Sequence, residues 1–229
     1  KIGLISGVVV LLWMFSGWLS MDHGRLFSSP DPTAQQTADM KGIALSEALA
    51  AIQLEDLYKT DGAKEIEITA LNKQTLIVAK NGEASELLPT GLGQVSDRES
   101  LISSVEISVS KAWPNNAVSY SYLVPANDTY TNLREGSLGA ETLRLILDDA
   151  DETWVHVDLT TGELISVMDD SRRIYRWLFN GIHSLDLPGL VNHRFTWSLL
   201  MLTLMSTGLI FCITGLVLAY KKITQIISG

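Results

Sequence analysis

FTWSLLMLTLMSTGLIFCITGLVLAY, the stretch from Phe195 to Tyr220, carries no charged side chain and runs directly into Lys221 and Lys222. A helix rises about 1.5 Å per residue and a bilayer core is about 30 Å thick, so about 20 apolar residues suffice to cross it. A second uncharged stretch, IGLISGVVVLLWMFSGWLSM from Ile2 to Met21, follows Lys1. Cationic flanks stay in the cytoplasm, which predicts both termini inside and the intervening body outside, as in a bacterial inner-membrane protein with a periplasmic domain. The first stretch exceeds the usual signal-peptide core of about 7 to 15 apolar residues. It also ends in Trp18-Leu19-Ser20-Met21-Asp22, with no small-x-small cleavage site, so it reads as a retained anchor. Lys1 is not a methionine, and residues upstream of it are expected.

Between the anchors the chain is acidic. The whole sequence has 17 Lys+Arg against 26 Asp+Glu, a net charge of −9, and every acid falls between Asp22 and Asp186. Setting aside Lys1, Lys221 and Lys222 leaves 14 of the 17 cations to face those 26 anions. Such a body repels nucleic acid and has no basic stripe to reverse the repulsion, so nucleic acid is excluded as a partner. The lone cysteine, Cys212, lies inside the second apolar stretch, which leaves the body without an internal disulfide and dependent on packing.

Residues 22–43 read as a linker, rich in Ser, Pro and Asp around Ser28-Ser29-Pro30-Asp31-Pro32. From Ala44 to Leu57 the spacing of Leu45, Leu49, Ile52 and Leu57 predicts a short helix with Ser46 near its start. Three short strands follow: Glu65–Thr69 with period two, Thr75–Ala79, and Glu83–Leu88 after the turn dipeptide Asn81-Gly82. The order then repeats. Ser96 and Glu99 form a capping box before a helix with Leu101, Ile102, Val105, Val109 and Trp113 on one face. Strands are predicted at 117–124, 142–147, 154–158 and 163–167, with a polar loop at 127–139. The fold class is therefore α+β: two helix-plus-antiparallel-strand units, residues 44–95 and 96–168, flanked by two transmembrane helices.

Val157-Asp158-Leu159-Thr160-Thr161-Gly162-Glu163-Leu164 resembles the strand-turn-strand signature of the PepSY domain. Its residue types have a mechanical reason: Gly162 supplies the positive φ of a tight turn, while Asp158 or Thr161 bonds the turn amides. The stretch is structural rather than catalytic.

The segment from Asp169 to Leu190, DDSRRIYRWLFNGIHSLDLPGL, is the most distinctive in the chain, and with Trp13–Met21 it resembles the PepSY-associated transmembrane family. Arg172, Arg173 and Arg176 precede Trp177, Leu178, Ile182 and Leu185, a basic and aromatic pattern suited to a helix lying on the outer leaflet until Pro188-Gly189 breaks it. Arg194 and Trp197 extend this membrane-interface set into the second anchor, predicted over 194–220 with a cytoplasmic tail at 221–229. Membrane lipid is the first expected partner.

Small residues recur on both anchors: Gly3, Gly7 and Gly17 on the first, and Gly208, Cys212, Gly215 and Ala219 on the second. Such stripes let membrane helices approach closely, which predicts that the anchors pack together, with a homodimer through the same stripes as the alternative.

Of four histidines, His156 reads as an ordinary surface or sheet residue. His23, His183 and His193 fall near the outer ends of the anchors and read as interfacial groups bonding headgroups, water or backbone. Some relatives are ferric-siderophore reductases with haem b between membrane helices, so the resemblance makes these three the candidate haem ligands. The anchors themselves contain no histidine, which weighs against that assignment. No nucleophile elbow, phosphate loop, zinc motif or cysteine pair is present, and no catalytic residue is assigned. The run Asp148–Glu152 fits a solvated hairpin tip better than a calcium loop. The resemblance implies an extracytoplasmic binding or accessory module serving iron-siderophore uptake, partnered by another membrane or periplasmic protein. A ferric reductase subunit and a periplasmic peptidase modulator are the alternatives.

Overall fold

The computed structural model describes residues 2–21, 26–58, 60, 62–82, 84–89, 97–133, 136–190 and 192–228. Its first and last helices, α1 (Ile2–Ser20) and α7 (Arg194–Ser228), are long and apolar enough to cross a membrane by length and composition. Few of their residues are buried inside the protein, and Leu4, Phe15, Leu202 and Leu216 are among many left exposed. Between them lies a mixture of short helices and antiparallel sheet, the α+β class expected. α7 continues through Lys221 and Lys222 to Ser228, so the residues read as a tail extend the helix. From Lys221 to Ser228 the sequence KKITQIIS holds no proline or glycine to end the helix.

The chain forms two compact units. One comprises Lys1–Phe27, Thr129–Ser137 and Arg173–Gly229; the other comprises Ser28–Asp128 and Leu138–Arg172.

The second unit begins with a helix where a linker was expected. α2 (Ala34–Lys41) carries a capping box, with Thr33 accepting from the Gln36 amide and the Gln36 side chain accepting from the Thr33 amide. Gly42, at φ 71°, ends the helix. The predicted helix over 44–57 is two pieces, α3 (Leu45–Ala50) and α4 (Leu54–Tyr58), and α3 has no side-chain cap. The faces are also inverted: Leu45, Leu49, Leu54 and Leu57 are exposed, whereas Ala48 and Asp56 are buried. A methyl side chain lets α3 sit close enough for Thr75 Oγ1 to donate to the Ala48 carbonyl at 3.3 Å. Asp56 accepts from the Gln53 amide and caps α4, so burial follows backbone bonding here rather than leucine spacing.

β1 (Glu65–Leu71), β2 (Gln74–Asn81) and β3 (Ala84–Pro89) form a three-stranded meander in order β1-β2-β3. α5 (Arg98–Ala112) starts at Asp97, whose carboxylate accepts from the Ser100 amide, one residue later than the capping box expected; Ser96 lies outside the described residues. β4 (Val118–Leu123), β7 (Thr142–Leu147), β8 (Trp154–Asp158) and β9 (Glu163–Met168) make a second antiparallel sheet in order β4-β7-β8-β9. Leu101, Val105 and Val109 of α5 meet Leu143, Leu145 and Leu147 of β7, Val155 and Val157 of β8, and Leu71 and Leu76 of the first sheet. One continuous core therefore joins what the sequence divides into two units at residue 96.

The turn between β8 and β9 follows its sequence mechanism. Asp158 Oδ1 accepts from the Thr160 amide and hydroxyl at 2.7 Å each, Thr161 Oγ1 accepts from the Glu163 amide, and Gly162 adopts φ 72°. At 148–152 the chain turns back between β7 and β8, with Asp149 accepting from the Thr153 amide and hydroxyl.

In the first unit, residues expected to form a loop include a small hairpin, β5 (Asn132–Leu133) with β6 (Gly136–Ser137). α6 (Asp170–Tyr175), which belongs to this unit from Arg173 onward, opens the distinctive segment, and a π-helical turn (Arg176–Gly181) continues it. The helix stops there, before Pro188. Leu185, at φ 51°, reverses the backbone in the left-handed region that a leucine rarely visits.

Candidate functional sites

His183 stands just past the π-helical turn, a type of irregularity often found at functional positions. Its Nδ1 lies 3.1 Å from Ser16 Oγ of α1. That hydroxyl sends its own proton back to the carbonyls of Leu12 at 2.8 Å and Trp13 at 3.2 Å, so Nδ1 carries a hydrogen and donates to it. Phe179 stacks on the imidazole with centroids 5.0 Å apart, Tyr175 stacks on Phe179 at 5.4 Å, and Phe27 meets Tyr175 edge-on. A Cβ added at Gly17 would lie 3.4 Å from His183 Cε1, so glycine admits the ring against α1.

His193 is exposed at the start of α7, where its carbonyl accepts from the Trp197 amide. His23 lies outside the described residues. The cleft between α1 and α7, about 370 Å³, is lined by Val10, Trp13, Met14, Met205, Gly208 and Leu209, with no imidazole among them. Of the three candidate haem ligands, the described residues therefore place His183 against α1 and His193 exposed at the start of α7. Among the described residues there is no cluster of three or more His, Cys, Asp or Glu able to bind a metal ion.

The basic segment differs from a lipid-facing array. Arg176 is only 3% exposed and Asp186 1%, and their side chains approach to 3.5 Å. Arg176 Nε donates to the Thr129 carbonyl at 2.8 Å, and its guanidinium lies 5.0 Å from the Trp177 ring centroid. Arg173 is buried as well, while Arg172 is half-buried and its amide donates to Asp169. The arginine spacing resembled a headgroup-binding face because Asp186, ten positions beyond Arg176, is not a helical neighbour; only the turn after Gly181 brings them together. Trp177 packs edge-on against Tyr130, Trp197 Nε1 donates to the Ser184 carbonyl, and Arg194 is exposed.

Only part of each small-residue stripe lies at the helix contact. A Cβ at Gly7 would meet Phe211 Cζ at 3.3 Å, and one at Gly208 would meet Val10 Cγ2 at 3.4 Å. Nothing lies within 4 Å of the positions a Cβ would take at Gly3 or Gly215, and Cys212 and Ala219 are exposed. α1 and α7 thus pack through Gly7 and Gly208, each receiving a larger side chain from the other helix.

A polar network that residue spacing did not reveal crosses the larger sheet. Tyr122, Arg144, His156 and Ser166 stand directly opposite one another on β4, β7, β8 and β9. Arg144, 2% exposed, grips Asp128 with two bonds of 2.9 and 3.0 Å and donates from Nη1 to Tyr122 Oη. Its guanidinium lies 4.1 Å from the Trp154 ring centroid. Arg144 Nε donates to His156 Nε2 at 2.9 Å, so His156 is neutral and its Nδ1 donates to Ser166 Oγ. Burial, reinforced by the Arg144 charge, holds the His156 pKa down to about 3. His156 is therefore a sheet residue, as one of its two readings had it, but a buried one rather than a surface one. The alternation of Arg144 and His156 with leucines and valines marked them as lying opposite the core, but it did not show that this face is covered too.

An open groove of about 570 Å³ runs between α5 and β4, lined by Ser103, Glu106, Ile107 and Ser110 of the helix and Ser119 and Ser121 of the strand, among others. Residue spacing gave no sign of it.

Neither the protein-family models, nor the curated proteins, nor the solved structures contain a match to this chain.

Proposed function

We propose that the chain is an integral membrane protein of PepSY-like type whose α+β domain lies outside the cytoplasm and acts as a binding or accessory module, in the setting of iron-siderophore uptake. The observation that carries this reading is the pair of glycine-packed apolar helices. α1 and α7 pack against each other through Gly7 and Gly208 and leave rows of Leu, Ile, Phe and Met exposed, a surface too large and continuous for water. The remainder is acidic, and its larger unit is folded around a continuous apolar core with an open groove between α5 and β4. The iron-siderophore setting rests on the resemblance of the segment 169–190 and of Trp13–Met21.

Alkaline carbonate extraction tests the anchoring. The full chain is expected to stay with the membrane pellet, and its release into the supernatant overturns the reading. The Soret region of the chain purified from haem-replete membranes tests the reductase alternative; a band that shifts on reduction and vanishes when His183 is replaced by alanine would favour it over the accessory role.

A further inference from the structure

The larger sheet has two edges, and the chain treats them differently. On β9 the outward amide of Val167 donates to the Pro30 carbonyl at 2.9 Å, so residues before α2 close that edge. On β4 the phase is set by the Val124 amide donating to the Thr142 carbonyl, which places Tyr122 and Tyr120 in the bonded pairs with β7. The amides and carbonyls of Ser121 and Leu123 therefore point away from the sheet. Exposed edges are usually blunted with charge or proline, yet Val118–Leu123 reads VSYSYL and contains neither. Its one irregularity is a bulge between Val118 and Tyr120.

Beside this edge α5 supplies a wall. Leu101, Val105 and Val109 enter the core, whereas Ile107 is 45% exposed and lines the groove of about 570 Å³. Ser121 and Leu123 stand opposite Leu145 and Leu143, on the face that α5 covers. A strand added to β4 would bond the backbone of Ser121 and Leu123 and lay its alternate side chains over Ile107.

We infer that β4 and α5 form a strand-addition site for an extended, cationic peptide segment with apolar alternate residues, bound by backbone pairing to Ser121 and Leu123. This rests on the binding-module reading above and names its site and ligand chemistry. Charge favours a cationic occupant through the body as a whole, where 26 acids face 14 of the 17 Lys+Arg; the groove itself is lined by both Glu106 and Lys111, the latter donating to Asn72 Oδ1 at 2.5 Å. A second copy suits the groove less well. Pairing β4 with β4 would offer serines 119 and 121 to a space that larger side chains fill, and would set two acidic bodies together.

The test uses the full chain in detergent micelles and a fluorescein-labelled octapeptide alternating lysine and valine, read by anisotropy. Saturable binding is expected, weakened at least tenfold by S121P, which removes an outward amide without touching a bond to β7. I107W, a change at an exposed position that fills the groove, is expected to weaken binding at least fivefold with unchanged circular dichroism and keeps the test valid if S121P misfolds. A glutamate-valine octapeptide is expected to bind at least fivefold more weakly. Equal binding to wild type, S121P and I107W overturns the inference, as does no binding by a monomeric wild type. A dimer in sedimentation that S121P dissolves also overturns it, since the edge then belongs to a second copy. Any of these failures in a chain that resists carbonate extraction removes the strand-addition site alone, whereas extraction removes the anchored-module reading beneath it.

Discussion

Arg144 Nε donates to His156 Nε2 at 2.9 Å across neighbouring strands, placing a cation beside an imidazole that must stay neutral. The bidentate Asp128 makes this tolerable, because a guanidinium 2% exposed has little water to replace a missing carboxylate. Burial pulls the Arg144 pKa down, but its bonds to Asp128 and Tyr122 outweigh that effect and keep it charged. The domain thus contains a polar layer whose members depend on one another.

Replacing Asp128 with alanine strands that cation. Removing one partner of a buried pair costs about 3–5 kcal/mol, and D128A is expected to lose stability on that scale in urea unfolding of the full chain, followed by near-ultraviolet circular dichroism. D128A combined with R144M is expected to recover a large part of the loss, since no uncompensated charge remains. A double variant as unstable as D128A would show that the network is not organised around the arginine.

Acid stability follows from His156. An unfolded histidine takes up a proton near pH 6.5, whereas the folded one does so only near 3, so between those values the unfolded chain binds more protons. The stabilisation is complete above about pH 6.5 and drains as pH falls toward 3, by up to about 1.4 kcal/mol per pH unit. H156Q keeps an acceptor for Arg144 and does not titrate. Its urea midpoint should therefore fall less steeply than that of wild type between pH 6.5 and 4; parallel slopes would contradict the assignment.

Gly162 is the substitution to which the β8–β9 turn is expected to be most sensitive. At φ 72° any side chain costs about 1–2 kcal/mol, and a Cβ there would also lie 3.2 Å from Leu76 Cδ1 in the core. G162A should lower the thermal midpoint measurably, and D158A, which removes two bonds to Thr160, should do the same more mildly. Gly82, at the same φ but with no atom near its missing Cβ, supplies the comparison for strain alone.

How far the sequence reached depended on range. Charge-free stretches, alternating strands and the Asp158–Gly162 turn are local patterns, and each corresponds to an element in the structure. The leucines at 45, 49 and 57 kept a helical spacing yet face outward, because Ala48 allowed a closer backbone approach than they could. Arg176 and Asp186 looked unrelated until the π-helical turn and Leu185 folded the segment back. The groove between α5 and β4 exists only once strand order is known, since it depends on which strand lacks an outer neighbour among the described residues.

The helix pair makes a selective prediction. G7L and G208L press against Phe211 and Val10 and should separate α1 from α7, whereas G215L meets open space and should be silent. Disulfide trapping between cysteines replacing Met14 and Met205, which line the same cleft, reports the separation in a Cys212→Ser background. Equal trapping in all three variants would show that the stripe does not form the contact.

The anchored arrangement is tested most directly by paired reporters joined after Gly229 in the full chain expressed in bacteria. A cytoplasm-dependent fluorescent protein should light and an export-dependent phosphatase should stay inactive, with the chain retained in carbonate-washed membranes. An active phosphatase at that position, or a chain washed free, would contradict the account.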